Sequence, residues 1–202
     1  CYAVVLRARA SLTPVRFTHA LACYGRYLKS VKPSVRVVLA DPQGSSLLNY
    51  VQQGVCYAEQ QAERKLRRHR YDSIAEGVGL DRLTANFESA LIDTAGRVSD
   101  QEVLNTAHWL LAEEGLFVGS SSALNVAVAC LTAKELGPGH TVVTVICDHG
   151  SRHLSRFWNK EYVKQYDLVW PLQQQHEEGQ GQGGVSASHT STDSLLPSYL
   201  SQ

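Results

Sequence analysis

Two short stretches of this chain, VRVVLADP (Val35–Pro42) and TVVTVIC (Thr141–Cys147), run through β-branched, mostly apolar residues without the alternation of a one-sided strand. Uninterrupted runs of that length predict strands buried on both faces, the kind found in parallel sheets. The stretches around them carry helical signals. GRYLKSVKP reads as the end of a helix stopped at Pro33. GSSLLNYVQQG reads as a short helix capped by Ser45 or Ser46 and closed by Gly54. Within ALIDTAGRVSDQEVLNTAHWLLAEEG, a strand-like run precedes Ser99, and Ser99 and Glu102 have the spacing of a capping box. Val103, Ala107, Leu110 and Leu111 then recur at helical spacing until Gly115. A further helix is predicted from about Ser121 to Leu136, with GPGH as the turn after it. Helices alternating with short apolar strands predict βαβ units, hence an α/β fold around a parallel sheet. Ligands of such folds sit off the C-terminal strand ends. The candidate positions are therefore Asp41-Pro42, Gly119–Ser122 and Asp148–Arg152.

A chain of 202 residues, 44% of them apolar, can bury a substantial core. Lys plus Arg equals Asp plus Glu at 19 each, so no bulk charge argues for nucleic acid or an acidic surface as partner. No apolar run has the length of a membrane span. Five scattered cysteines suit free thiols in a reducing compartment better than a disulfide framework. The chain opens on Cys1 and has no methionine, which leads us to expect a native start further upstream. Residues 1–23 form a segment apart: Arg-bearing and free of acidic residues, it suits either a transit peptide or a truncated or misjoined stretch. Residues 24–172 are expected to form the folded domain. The Arg- and Lys-rich run Ala58–Ser73 reads as a solvated segment or a phosphate-binding patch. Residues 173–202 lack Lys and Arg and have few large apolar side chains, so they are expected to be a disordered tail.

Gly119 is followed by three serines at the point where an apolar run gives way to a helix. A serine there can cap the helix. The free N–H groups and positive end of the helix can equally hold a polar ligand.

The longer strings EGLFVGSSSALN, AKELGPGHTVVTVICDHGSRHLS, GRYLKSVKPSVRVVLADPQGS and IAEGVGLDRLTANFE widen the basis of comparison. In this order and spacing, they resemble the C-terminal part of the cysteine synthases. These are pyridoxal-phosphate enzymes of the tryptophan-synthase-β fold type, and the Arg-rich insert before IAEGVG is similar to that of the fungal cysteine synthase 2 branch. The resemblance covers roughly residues 25–170. It implies a partial three-layer αβα domain, pyridoxal 5′-phosphate as cofactor, an amino-acid substrate and a homodimer. It also implies replacement of the acetate of O-acetylserine by sulfide, in cytoplasm or mitochondrion.

Residue by residue, the resemblance implies that Gly119, Ser121 and Ser122 form the turn at the cofactor, with the Ser121 hydroxyl meeting the ring nitrogen. Gly77 and Gly79 match the glycine loop on the substrate side, and Asp148 matches a position near the ring nitrogen. Ala123 stands where the family has glycine, and His149 where it often has tyrosine or serine. The family's Schiff-base lysine lies in a motif like Ser-x-Lys-Asp-Arg, and none of Lys29, Lys32, Lys65, Lys134, Lys160 or Lys164 has that context. The glycine-rich phosphate turn ahead of GRYLKS is replaced by Arg16-Phe17-Thr18-His19-Ala20, whose side chains would obstruct close backbone approach. The expectation is therefore part of a cysteine synthase that is inactive as this chain, with a non-catalytic or decayed paralogue as the alternative. A metal site at Cys147, His149 and His153 is a third, weaker reading, resting on the His-x-x-x-His spacing.

Overall fold

Strand β2 (Arg36–Asp41) carries apolar side chains on both faces, and both are covered. Val38 and Ala40 enter one hydrophobic cluster, Val37 and Leu39 another. That division follows from the two-residue period of a strand. The computed structural model describes residues 2–7, 19–57, 73–80 and 82–171. In chain order the remaining elements are β1 (Tyr2–Arg7), α1 (His19–Val31), α2 (Leu47–Gln53), the single turn α3 (Ala85–Glu88), β3 (Thr94–Arg97), α4 (Asp100–Glu114), α5 (Ser120–Leu136), β4 (Thr141–Thr144), a 3-10 turn (Gly150–His153) and α6 (Lys160–Lys164).

The four strands pair in parallel in the order β3-β2-β1-β4. Helices α4 and α5 supply Val103, Leu104, Ala107, Leu110, Leu124, Ala127 and Val128 to the cluster on one face. Leu21 of α1, Leu47 of α2 and Phe87 of α3 fill the other. This is the expected three-layer αβα arrangement. Helix α5 lies close on the sheet, since a Cβ on Gly96 of β3 would come within 2.8 Å of Val128 Cγ1.

Several local expectations need correction. TVVTVIC is not a doubly buried strand. Only Thr141–Thr144 pairs, β4 ends the sheet, and Val143, Val145 and Ile146 are about half exposed. Of the two serines expected to cap α2, Ser46 makes no capping bond and donates to the Leu80 carbonyl at 2.9 Å, whereas Ser45 Oγ accepts the Leu47 N–H at 3.4 Å and Asp41 Oδ2 the Leu48 N–H at 2.9 Å. Tyr2–Arg7, within the segment set apart by the sequence, forms β1 between β2 and β4, with Ala3 opposite both Arg36 and Val142. Residues 58–72 of the charged run and residues 172–202, including the tail, lie outside the described residues. Among the described residues no helix is long and apolar enough to cross a membrane.

Candidate active site at the strand ends

The serines after Gly119 do not cap α5. Gly119 is the N-cap residue, and no side chain accepts from the first turn. The three hydroxyls point instead to three neighbours. Ser120 Oγ accepts the Glu76 N–H at 3.2 Å. Ser121 Oγ donates to Asp148 Oδ1 at 3.4 Å. Ser122 Oγ accepts the N–H groups of Cys147, at 2.8 Å, and Asp148, at 3.4 Å. The Gly119 N–H adds a bond to the Asp148 carbonyl at 3.1 Å. One helix start is thus joined to the segment after β4 and to the loop carrying Gly77. All three serines are buried, so these bonds replace hydration that burial removes.

Gly119 makes this closeness possible. A Cβ there would stand 2.3 Å from Asp148 Oδ1 and 2.7 Å from His153 Nε2. His153 Nε2 in turn lies 2.8 Å from Asp148 Oδ2, so both oxygens of Asp148 are engaged, one by Ser121 and one by the imidazole. The other ring nitrogen, Nδ1, is buried without a hydrogen bond and lies 3.9 Å from Glu76 Oε2. Arg156 stands 3.6 Å from the second Glu76 oxygen.

The loop from Glu76 to Leu80 runs over Pro42 and Ser45. Gly77 and Gly79 have φ of 69° and 82°, the left-handed region where glycine carries no Cβ penalty. At Gly79 there is also no space: a Cβ would meet Pro42 Cγ at 2.9 Å. Ser45 Oγ accepts the Leu80 N–H at 3.1 Å. Below the loop, Arg97 at the end of β3 donates to Asp41 Oδ2, at 3.1 Å, and to the Ser45 carbonyl, at 2.5 Å. Burial pushes the Asp41 carboxyl above its ordinary range, against the pull of Ser45, the Leu48 N–H and Arg97.

The structure therefore gathers Gly119, Ser121, Ser122 and Asp148 directly, and ties Gly77 and Gly79 to them through Glu76 and Ser120. Asp41-Pro42 lies under the same loop. Sequence reasoning missed Glu76 and Arg97, which no spacing marks. It met His153 only as half of a metal spacing. The rings of that spacing go to different partners: His149 Nδ1 to Ser151 Oγ at 2.9 Å, His153 to Asp148, while Cys147 Sγ accepts from Asn125. Residues 150–153 form a 3-10 turn, so the helical face that the spacing presumed is not formed. Among the described residues no group of three or more His, Cys, Asp or Glu side chains is placed to hold a metal ion.

Comparison with known proteins bears on this arrangement. The model of the family described as pyridoxal-phosphate dependent enzyme matches residues 12–148. Cysteine synthase 2 of Schizosaccharomyces pombe is 48% identical over 151 residues, covering 74% of this chain and 38% of the relative. Cysteine synthase 2 of Emericella nidulans is 52% identical over 136 residues, covering 66% of this chain and 32% of the relative. The chain thus spans about a third of the length of these curated relatives. Among solved structures, an O-acetylserine dependent cystathionine beta-synthase from Helicobacter pylori superposes with a TM-score of 0.56 at 26% identity, covering 77% of this chain and 42% of that one.

Proposed function

The chain belongs to the family of pyridoxal-phosphate dependent enzymes, and from that premise we propose that residues 24–172 are part of a cysteine synthase, which exchanges the acetate of O-acetylserine for sulfide. The observation that carries this reading is the Ser121 hydroxyl at the C-terminal side of the sheet, held beside Asp148 and joined through Ser120 to the glycine loop. The donor set suits the cofactor's ring. Ser121 offers an uncharged hydroxyl, and the loop offers backbone where Gly79 leaves no room for a side chain. Ser121, with Gly119 and Ser122 in the same turn, would hold the ring from the α5 side. Gly77 and Gly79 would line the opposite side, and Asp148 would orient Ser121. When bound, pyridoxal phosphate supplies an electron sink for chemistry at the substrate's α and β carbons. The protein's share here is orientation and exclusion of water.

The same residues do not suit covalent attachment of the cofactor. Lys29 is paired with Asp93 at 2.6 Å and Lys164 with Glu161 at 3.5 Å. Lys134 lies in the last turn of α5, roughly 20 Å along the helix from Ser121. None of Lys29, Lys32, Lys65, Lys134, Lys160 or Lys164 stands in a Ser-x-Lys-Asp-Arg context, and on that ground we read the 202-residue polypeptide by itself as inactive. After mixing with pyridoxal phosphate and dialysis, it should keep no visible absorbance; a retained band would overturn that part of the reading. The messenger RNA sequence 5′ of the GRYLKS codons tests the family activity. A Ser-x-Lys-Asp-Arg motif and a glycine-rich phosphate turn in frame there would support it.

One observation favours the second reading, a non-catalytic paralogue that retains part of the fold. Strand β1 is in register with both its neighbours. If Tyr2–Arg7 is native, mass spectrometry of the natural protein must find a peptide spanning Arg16–Arg26. Cys23, Cys130 and Cys147, none of them in a disulfide, suit a reducing compartment, cytoplasm or mitochondrion. Assembly as a homodimer follows from the family resemblance and belongs to the same proposal.

A further inference from the structure

We infer that His153 is a positioning residue that ties the glycine loop to the Ser121–Asp148 wall and so sets the separation between the two sides of the cofactor site; its relevance to a cofactor rests on the reading above. The imidazole stands between two carboxylates from different parts of the chain. Its Nε2 lies 2.8 Å from Asp148 Oδ2 and its Nδ1 faces Glu76 Oε2 at 3.9 Å, so a ring carrying a proton on each nitrogen directs one N–H to each carboxylate. His153 is 9% exposed and its Nδ1 is buried without a hydrogen bond, while Glu76 is partly exposed and its Oε1 faces Arg156 at 3.6 Å, which leaves Oε2 toward the ring. Glu76 is adjacent to Gly77, and its N–H is already bound to Ser120 Oγ. Loop and wall therefore meet twice: through backbone at Ser120, and through side chains at His153. Movement of the loop toward the wall would shorten the Glu76–His153 gap into a hydrogen bond from a protonated Nδ1, and movement away would break the contact and leave His153 held by Asp148 alone. Gly119 admits this arrangement, because any side chain there would occupy the space of the Asp148–His153 contact.

The test is hydrogen–deuterium exchange, read by mass spectrometry, on the 202-residue chain without cofactor. In His153→Phe, which keeps volume and loses both nitrogens, exchange should rise about tenfold in segment 119–123, the scale of one lost hydrogen bond, and should also rise, by less, in segment 76–80. In His153→Gln, whose amide N–H can still reach Asp148, segment 119–123 should return to the wild-type rate while 76–80 stays fast. Helix α4 is the control for general unfolding. Should His153→Phe loosen α4 as well, Glu76→Gln decides, because that side chain is only partly buried and contributes no core volume. It should loosen 76–80 and, through His153, also 119–123. Unchanged segments in His153→Phe, equal effects of Phe and Gln, or a Glu76→Gln effect confined to the loop would each overturn the tie. Because no cofactor enters, a failure here is distinct from a failure of the dialysis experiment.

Discussion

His108 of α4 is 2% exposed and lies between the indoles of Trp158 and Trp170, each 4.6 Å away by ring centroid. Burial among rings disfavours its charged form and lowers its pKa from 6.5 to about 4. An unfolded chain takes up that proton near 6.5, the folded one only near 4, so the unfolded state binds more protons in between. The stabilisation is thus fully present above pH 6.5 and is lost as the solution is acidified toward 4, by at most about 3 kcal/mol. In His108→Phe, urea midpoints measured from pH 7 to 4 should fall less steeply than in the wild type. Asp41 is present in both proteins, so its opposite dependence cancels. The same cluster reaches the site: Trp158 Nε1 donates to the Val118 carbonyl, one residue before Gly119.

At the level of elements, the start of α5 is decided by what packs over it. Gly119 has φ of −78°, a conformation alanine also adopts, so the backbone does not require glycine there. Space does. In Gly119→Ala the new Cβ would fall 2.3 Å from Asp148 Oδ1, and the Asp148–His153 pair must move. We expect a loss of about 1–3 kcal/mol in chemical denaturation. In a crystal structure of the variant, the Ser121–Asp148 contact should be absent. The helix starts also divide what sequence can reveal. The Ser99–Glu102 capping box is local, built from residues three apart, and it forms as expected. The serines after Gly119 carry the same local signal and do something else. Their hydroxyls meet Glu76, Asp148 and Cys147, which lie 25 or more positions away, and proximity of that kind has no local signature.

At the scale of the molecule, the parallel sheet of the described residues ends at β4, where Val143 is 50% exposed and Val145 and Ile146 are each 46% exposed. An exposed apolar edge strand invites pairing with another strand. The 202-residue polypeptide should therefore scatter more light as its concentration rises, and Val143→Lys should reduce that scattering without lowering the thermal midpoint. The sequence alone determined that this is an α/β chain, where its helices stop, and that its candidate site residues follow strands, because backbone periodicity, caps and glycine conformations are written within a few residues. Only the tertiary structure decided that β4 is the end strand among the described residues and β1 a central one, that the triple serine bonds outward, and that His153 stands between Asp148 and Glu76. Each of these depends on which distant segments share a volume, and that is a property of packing, not of any single stretch of chain.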